Sequence, residues 1–243
     1  MSRRNKNSSS RRKRLGQHIL VDRRILEKIM EHARISRKHV VLEIGTGTGV
    51  LTKELCRRAR RVISCEVDPE LARRTGESLG ACGGNLTLVR RDGFKTDYDF
   101  DLFVSNLPYS RSRTAIEWLA EKDFDRAVIL VQKEFAEKLL SKKGGSYRAV
   151  SALAQYCFEI EELMPVGRNA FRPRPKVDSV MLGLKKRRKV SRDTIRSLKL
   201  VFSFRRKKLS NALRKLGLDT VSEKRVEQLT PEEAVRLAEE ITK

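Results

Sequence analysis

The chain has few of the residues that build metal sites and disulfide bonds. Its 243 residues include four cysteines and three histidines, with no Cys-x-x-Cys pair and no histidine cluster beside a cysteine. This pattern argues against a metal site and favours reduced thiols in a cytosol-like compartment. The sequence also lacks an apolar run of about 18 residues and an apolar segment after its charged start. We therefore expect neither a membrane span nor a secretory signal.

Acidic residues are scarce relative to basic ones. The sequence contains 54 Lys and Arg against 31 Asp and Glu, which gives a formal net charge of +23. Most of the excess lies in residues 1–14, with seven basic residues and no acid, and in residues 185–215, with fourteen basic residues and one acid. Such segments predict binding to a nucleic-acid backbone. An anionic membrane is the competing partner, but no lysine-rich amphipathic helix with Trp or Phe on its apolar face favours it.

Composition divides the chain into three parts. Residues 1–14 are cationic and serine-rich, which predicts a disordered basic tail. Residues 15–184 contain short apolar runs and turns with nearly balanced charge, which predicts an α/β domain. Residues 185–243 begin with a basic linker and continue with helical patterns, which predicts a small helical domain that binds RNA. Its candidate RNA contacts are Arg205, Arg206, Lys207 and Lys208.

A glycine-rich turn follows the first apolar run of the α/β domain. Residues 40–44 (VVLEI) predict a buried strand, and residues 45–49 (GTGTG) lead from it into a helix predicted over residues 50–58. Glycines at such a turn let a ligand approach the backbone closely. No Gly-Lys-Ser/Thr follows, and the spacing differs from a dinucleotide fingerprint. We therefore expect a ligand with a smaller and less anionic tail than a pyrophosphate.

Single acids follow the next two predicted strands. Glu66 comes directly after residues 62–65, where a carboxylate is placed to accept both hydroxyls of a ribose. Asp92 follows the strand predicted over residues 86–89, and its carboxylate could bind the amino group of an adenine. Together with the glycine turn, these strand ends predict a linear cradle for a nucleoside cofactor.

A short motif, Asn106-Leu107-Pro108-Tyr109, comes soon after the apolar run of residues 102–104. The Asn106 oxygen can accept a hydrogen bond from an exocyclic amine, and Pro108 fixes the loop so that a backbone carbonyl accepts a second one. These bonds draw the nitrogen lone pair out of conjugation, while Tyr109 offers a flat face for a purine. The motif therefore predicts transfer to an exocyclic amino group. The alternative is a structural loop in which Asn106 caps the next helix and Tyr109 fills a gap.

Apolar periodicity predicts further elements on both sides of these motifs. They are a helix over 22–33 with Asp22 as a possible N-cap, a strand over 123–132, a helix over 134–140, a last strand over 177–184, helices over 193–202 and 209–216, and two more helices within 222–241. Pro231 is expected at the start of the last helix.

In this order and at this spacing, the motifs resemble the S-adenosylmethionine-dependent class I methyltransferases that act on adenine N6. Two flanking segments narrow the resemblance to the ribosomal RNA adenine N6,N6-dimethyltransferases of the KsgA and Dim type. They are residues 16–20 (GQHIL) and residues 171–180 (FRPRPKVDSV). The resemblance implies a Rossmann-like α/β fold with a mostly parallel seven-stranded sheet, an antiparallel last strand and a small C-terminal helical domain. It also implies S-adenosyl-L-methionine as the cofactor.

The resemblance implies roles for individual residues. The cofactor-binding set is Gln17, His18, Leu20, Gly45, Gly47, Glu66, Asp92 and Asn106. Within it, Gly45 touches the methionine part of the cofactor, Glu66 holds the ribose and Asp92 lies at the adenine. The catalytic set is Asn106, Leu107, Pro108, Tyr109 and Phe171. The target adenine would stack between Tyr109 and Phe171. His18 and Ile19 stand where Asn and Phe are common in the family.

Three functions are compatible with these residues. The first is dimethylation of two adjacent adenosines near the 3′ end of small-subunit rRNA during ribosome assembly, by a cytoplasmic monomer. The second is resistance-type methylation of a large-subunit rRNA adenine, which uses much the same motifs. The third is a non-catalytic assembly or transcription factor on the same fold. The basic C-terminal segment and residues 171–180 favour the first function, while intact Asn106, Pro108 and Tyr109 argue against the third.

Overall fold

The computed structural model describes residues 18–80, 84–142, 144–218 and 222–242. The predicted basic tail, Gln17 and Cys82 lie outside these residues. The chain divides into two compact units. The first unit comprises Met1–Thr114, Asp123–Lys133 and Glu161–Leu184, and the second comprises Ala115–Lys122, Glu134–Ile160 and Lys185–Lys243. The second unit thus contains two earlier segments besides the C-terminal residues, and the assignment of functions to domains stays a prediction.

Strands and helices alternate along most of the described chain. The strands are β1 (Ile19–Leu20), β2 (Val40–Ile44), β3 (Arg61–Cys65), β4 (Leu86–Val89), β5 (Leu102–Ser105), β6 (Arg126–Gln132), β7 (Phe158–Val166), β8 (Phe171–Arg172) and β9 (Ser179–Lys186). The helices are α1 (Arg23–Ala33), α2 (Val50–Arg58), α3 (Pro69–Leu79), α4 (Ser112–Ala120), α5 (Lys133–Leu140), α6 (Ala149–Cys157), α7 (Arg192–Ser203), α8 (Leu209–Arg214) and α9 (Pro231–Thr242).

The main sheet has seven strands in the order β4-β3-β2-β5-β6-β9-β7. The pairs from β4 through β6 are parallel, and an antiparallel strand lies near the end of the sheet. The predicted α/β fold with a mostly parallel seven-stranded sheet is therefore confirmed. Consecutive residues such as Val41 and Leu42 point to opposite faces of a strand, yet both are fully buried. The central strands are covered on both faces, which explains why they are apolar runs rather than alternating patterns.

The candidate site residues follow four neighbouring parallel strands. Gly45 follows β2, Glu66 follows β3, Asp92 comes after β4 and Asn106 follows β5. Because these strands are parallel, their carboxyl ends meet at one edge of the sheet. The strand order β4-β3-β2-β5 sets the sequence of site residues along that edge.

A two-stranded sheet was not predicted. Strand β1 pairs antiparallel with β8, so that Ile19 faces Arg172 and Leu20 faces Phe171. Val21 N also donates to Ala170 O at 2.8 Å. Two-residue strands are too short to show any periodicity in the sequence. The pairing brings the two segments that flank the central motifs into contact.

Several predicted bounds differ from the structure. Strand β6 begins at Arg126 rather than 123, and β9 runs from Ser179 to Lys186 rather than over 177–184. Helix α8 ends at Arg214, before the predicted 216. Two helices were predicted within 222–241, and the described part of this segment holds a 3-10 helix of three residues, Val226–Gln228, followed by α9. Pro231 begins α9 as expected.

The second unit contains helices that pack on one another. Helices α7 and α9 are in contact, and α6 contacts both. The Tyr147 ring lies edge-on to the Phe202 ring, with centroids 5.5 Å apart. The buried residues of α9 are the small side chains Ala234, Val235 and Ala238, which allow a close approach between helices.

Candidate functional site

The glycine turn after β2 adopts a conformation that favours glycine. Gly45 and Gly47 have φ angles of 91° and 56°, in the left-handed region. Three hydrogen bonds fix the turn: Gly45 N donates to Cys65 O at 2.7 Å, Gly47 N donates to the Glu66 carboxylate at 2.9 Å, and Thr75 Oγ1 donates to Gly47 O at 2.7 Å. The turn is therefore held against the neighbouring strand end before any ligand arrives.

Glu66 is buried at the end of β3, with 2% of its surface exposed. Its Oε2 atom accepts from Gly47 N and its Oε1 atom accepts from Asp68 N, both at 2.9 Å. Each carboxylate oxygen has two lone pairs, so each keeps one acceptor site after these bonds. A carboxylate oriented in this way suits a pair of ribose hydroxyls, as predicted for this residue.

Two solvent-open clefts lie along this edge of the sheet. The first has about 570 Å³ of empty space and is lined by His18, Leu20, Glu43, Gly45, Gly47, Glu66, Asn106 and Pro108, among others. The second has about 860 Å³ and is lined by Glu66, Asp92, Phe94, Pro108 and Arg111, among others. Both clefts share Gly45, Glu66 and Pro108. Because the two clefts share these residues, they are neighbours along the sheet edge, an arrangement that suits an elongated nucleoside ligand.

Asp92 is already engaged by neighbouring groups. Its Oδ1 atom accepts from Phe94 N at 3.1 Å, and Arg111 Nη2 forms an ion pair with its Oδ2 atom at 3.0 Å. The Arg111 guanidinium also lies over the Phe94 ring, 4.9 Å from its centroid. An adenine amino group bound here would share the carboxylate with Arg111. Nothing in the sequence indicates a role for Arg111, since an isolated arginine after the central motif gives no signal of this contact.

The side-chain amide of Asn106 is oriented by the segment before β1. Its Nδ2 atom donates to His18 O at 2.9 Å. An amide NH2 group can only donate, so this bond identifies which end of the side chain is the nitrogen. The Oδ1 atom is thereby left as the acceptor of a half-buried residue that lines the first cleft. Asn106 makes this bond with His18 rather than serving as a cap for the next helix, which argues against the structural-loop alternative.

Tyr109 presents a half-buried ring beside His18. The two ring centroids are 5.3 Å apart, with planes inclined by 32°. The Tyr109 hydroxyl shares a hydrogen bond of 2.6 Å with Ser179 Oγ, and His18 Nδ1 donates to Pro173 O at 2.7 Å. Burial raises the pKa of the Tyr109 phenol. The ring is thus fixed at its tip and along one side, which suits a stacking surface.

Other predicted site residues are buried. Phe171 is 0% exposed and belongs to the hydrophobic core, so its ring offers no face to a base in this structure. A stacking role for Phe171 requires its ring to leave the core. The side chains of Leu107 and Leu20 are also buried, at 2% and 4% exposure, so that any contribution of Leu107 to base binding comes from its backbone. The roles assigned to these residues stay predictions.

A buried carboxyl group, Glu43, lines the first cleft and was not assigned a role from the sequence. Its Oε2 atom accepts from Thr52 Oγ1 and Ser64 Oγ, both at 2.6 Å. Its Oε1 atom is buried and has no hydrogen-bond partner among the described residues. Burial raises the pKa of Glu43 to about 8, so the group is mostly protonated at neutral pH. The available signal was a single acid within the apolar run of β2.

The four predicted RNA contacts of the second unit differ in their surroundings. Arg205 Nε lies 3.8 Å from a Glu227 oxygen, and Lys208 Nζ pairs with Glu223 at 2.5 Å. Arg206 and Lys207 are exposed, and neither pairs with an acid among the residues that the structure describes. The predicted set therefore divides into Arg205 and Lys208, which lie next to acids, and Arg206 and Lys207, whose charges are not offset by an acid among the described residues.

Other kinds of site have no candidate in the described ranges. There, no helix is both long and apolar enough to cross a membrane. Likewise, the described residues contain no group of three or more His, Cys, Asp or Glu arranged to hold a metal ion.

Comparisons with known proteins agree with this geometry. The chain matches the family model of ribosomal RNA adenine dimethylase over residues 8–243. A Pyrococcus abyssi protein named probable ribosomal RNA small subunit methyltransferase A is 35% identical, over 93% of this chain and 90% of that protein. A crystal structure of a Plasmodium falciparum dimethyladenosine transferase has a TM-score of 0.78 at 28% identity, over 90% of this chain and 96% of that one.

A structure from the alternative class is also similar. The 23S rRNA methyltransferase ErmE has a TM-score of 0.67 at 26% identity, over 93% of this chain and 100% of that one. The match to the family model nevertheless spans nearly the whole chain, and the small-subunit relative has the higher identity. On these grounds the protein belongs to the ribosomal RNA adenine dimethylase family.

Proposed function

We propose that this protein is an S-adenosylmethionine-dependent rRNA adenine N6,N6-dimethyltransferase. Its substrate would be two adjacent adenosines near the 3′ end of small-subunit rRNA, modified during ribosome assembly. Membership of the family supports the reaction, and the name of the Pyrococcus abyssi relative supports the small subunit. The structural observation that carries the proposal is the Asn106 amide, which is held by His18 so that its oxygen is an acceptor in the first cleft.

The residues along the sheet edge fit the methyl donor. S-adenosylmethionine, when bound, supplies a methyl group on a positively charged sulfur. Gly45 and Gly47 would border its methionine part, and the buried Glu66 carboxylate would accept from its ribose hydroxyls. Asp92 and the Phe94 backbone would lie at its adenine.

The residues after β5 would activate the target amine. An adenine N6 nitrogen is a poor nucleophile while its lone pair is conjugated with the ring. Asn106 Oδ1 would accept one N6 hydrogen, a carbonyl of the Leu107-Pro108 loop would accept the other, and Tyr109 would stack on the base. These acceptor bonds strengthen as the nitrogen gains positive charge, so they stabilise the transition state more than the ground state. The nitrogen then loses a proton to water, and no side chain has to act as a general base.

RNA binding would use the free cations of the second unit. Arg206 and Lys207 are exposed and present uncompensated charge, which suits contacts to phosphates. Their loop is ordered by backbone bonds to a later segment, since Leu209 N donates to Lys224 O at 2.8 Å and Val226 N donates to Lys207 O at 3.2 Å. We further propose a monomer that acts in the cytoplasm on rRNA within the assembling small subunit.

The experiment that tests this proposal compares two RNA substrates. Purified protein is incubated with methyl-labelled S-adenosylmethionine and either undermethylated small ribosomal subunits or large-subunit rRNA. Label in the small subunit alone is the expected result. Label in large-subunit rRNA alone would support the resistance-type reaction instead, and salt-sensitive RNA binding without label would indicate a binding factor.

A further inference from the structure

From β8 to the start of β9, over residues 171–179, every fourth side chain is buried and the three between are exposed. Phe171 and Pro175 are buried, while Arg172, Arg174 and Lys176 are exposed. We refer to these three exposed cations as the cationic strip. The Phe171 ring belongs to the hydrophobic core and holds the segment there, while every charged side chain of the strip faces solvent, as do Pro173 and Val177.

The charge of the strip is not neutralised within the described residues. None of its three side chains pairs with an acid there, and Arg172 Nη1 donates only to the carbonyls of Asn169 and Phe171, at 3.4 and 3.0 Å. The acid that follows the strip, Asp178, pairs instead with Arg168 at 3.4 Å. The strip thus carries three positive charges that are available to an anion.

Both ends of the strip are tied to the candidate active site. At its start, Pro173 O accepts from His18 Nδ1 at 2.7 Å, and the His18 ring lies 5.3 Å from the Tyr109 ring. Beyond its end, Ser179 Oγ bonds to the Tyr109 hydroxyl at 2.6 Å, and Asp178 O accepts from Lys133 N at 3.0 Å. The cations are therefore carried on a segment fixed to the ring on which we propose that the target adenine stacks.

We propose that the cationic strip binds the phosphodiester backbone of the RNA next to the target adenosine. The proposal rests on the function proposed above and concerns a contact in the first unit, separate from Arg206 and Lys207 in the second. A base that leaves its stack to enter a pocket needs its flanking backbone held in register. Guanidinium groups suit this task because they can bind two phosphate oxygens at once. Charge complementarity and the position beside Tyr109 both favour RNA over other anions.

The test uses a strip variant that carries Arg172→Gln, Arg174→Gln and Lys176→Gln. Each change removes a charge and keeps a polar side chain. The readout is the affinity of the full-length protein for a small-subunit rRNA fragment that contains the 3′ end, measured between about 50 and about 200 mM salt. We expect the slope of log affinity against log salt to fall by about 2 to 3, or about 1 for each phosphate that the variant no longer binds. The affinity for S-adenosylmethionine should stay unchanged.

A control variant removes the same charge elsewhere in the first unit. It carries Arg37→Gln, Lys38→Gln and Arg60→Gln, three exposed residues that precede β2 and β3 and so lie toward the amino ends of the strands. Arg37, like Arg172, donates to a backbone carbonyl, that of Ala59 at 3.1 Å. We expect this variant to keep most of the wild-type salt slope.

Several results would overturn the proposal. One is a strip variant with the wild-type slope, and another is an equal loss of slope in the control variant. A third is a strip variant that keeps its RNA affinity and loses only its binding to vesicles of anionic lipid, measured in parallel. If the triple variant does not fold, Arg174→Gln alone should still lower the slope by about 1, and an unchanged slope in that variant would equally count against the strip. Methyl transfer by the wild type is measured separately. If the wild type transfers no methyl group but the strip variant still loses RNA affinity, the proposed function is refuted and this inference is retained.

Discussion

Replacing Asn106 with alanine removes a donor and an acceptor at once. The lost bond from Nδ2 to His18 O, at 2.9 Å, should lower the free energy of unfolding by about 1 kcal/mol. The lost acceptor in the cleft should have a larger effect on the reaction. Groups that stabilise developing charge in a transition state are each worth about 100- to 1000-fold in kcat, or about 3–4 kcal/mol. We therefore expect kcat to fall by at least about 100-fold, with a much smaller change in the affinity for S-adenosylmethionine.

The neighbouring residue provides a matched control for Asn106→Ala. Ser105 is buried, does not line either cleft, and its Oγ atom donates to Ile44 O at 2.5 Å. Ser105→Ala should lower stability by a similar amount, about 1 kcal/mol, and leave kcat close to that of the wild type. The assay is steady-state methyl transfer together with thermal unfolding. A folded Asn106→Ala protein with nearly wild-type kcat, or equal kcat losses in both variants, would show that the Asn106 oxygen has no specific role in methyl transfer.

Three further predictions concern residues around the site and the RNA surface. In Glu43→Gln, the free energy of unfolding should rise relative to the wild type as pH rises from about 4.5 to 8, by up to about 1.4 kcal/mol per pH unit. The reason is that the buried carboxyl of the wild type keeps its proton up to a pKa of about 8, while the unfolded chain loses it near 4.5. Denaturant unfolding at several pH values measures this difference, and a difference that does not change with pH would contradict the prediction. Tyr109→Phe should keep RNA binding and lower the free energy of unfolding by about 1 kcal/mol, because the hydrogen bond to Ser179 is lost. Tyr109→Ala should raise KM for RNA, because it also loses base stacking worth about 1–3 kcal/mol. The same KM for RNA in the two variants would argue against a stacking role. Lys207→Gln should lower the slope of log RNA affinity against log salt by about 1. Lys208→Gln should lower this slope less, because the charge of Lys208 is paired with Glu223. Identical slopes in the two variants would contradict the distinction between paired and unpaired cations in this loop.

The strand ends were predictable because their signals are local. Gly45, Glu66 and Asn106 each follow a short apolar run, and a parallel sheet places such ends at one edge whatever the details of packing. The central strands are buried on both faces, so their apolar runs were visible in the sequence. By contrast, β7 is a strand at the end of the sheet order with exposed acids, and its sequence, FEIEELMPV, shows no such run.

Contacts that depend on tertiary structure could not be predicted. The pairing of Leu20 with Phe171 joins segments about 150 residues apart and involves strands of only two residues. That pairing accompanies the burial of the Phe171 ring, which the sequence had suggested as a stacking face. Similarly, the ion pair of Arg111 with Asp92 depends on the adjacency of two loops at the sheet edge, and no spacing rule indicates it.

Nucleoside analysis of small subunits after reaction with the purified protein tests directly whether it dimethylates small-subunit rRNA. Undermethylated subunits are treated to completion with S-adenosylmethionine, the rRNA is digested, and methylated adenosines are quantified and mapped. We expect N6,N6-dimethyladenosine at two adjacent positions near the 3′ end, and none when the Asn106→Ala variant replaces the wild type. Product that stops at N6-methyladenosine, or methylation only in large-subunit rRNA, would contradict this expectation.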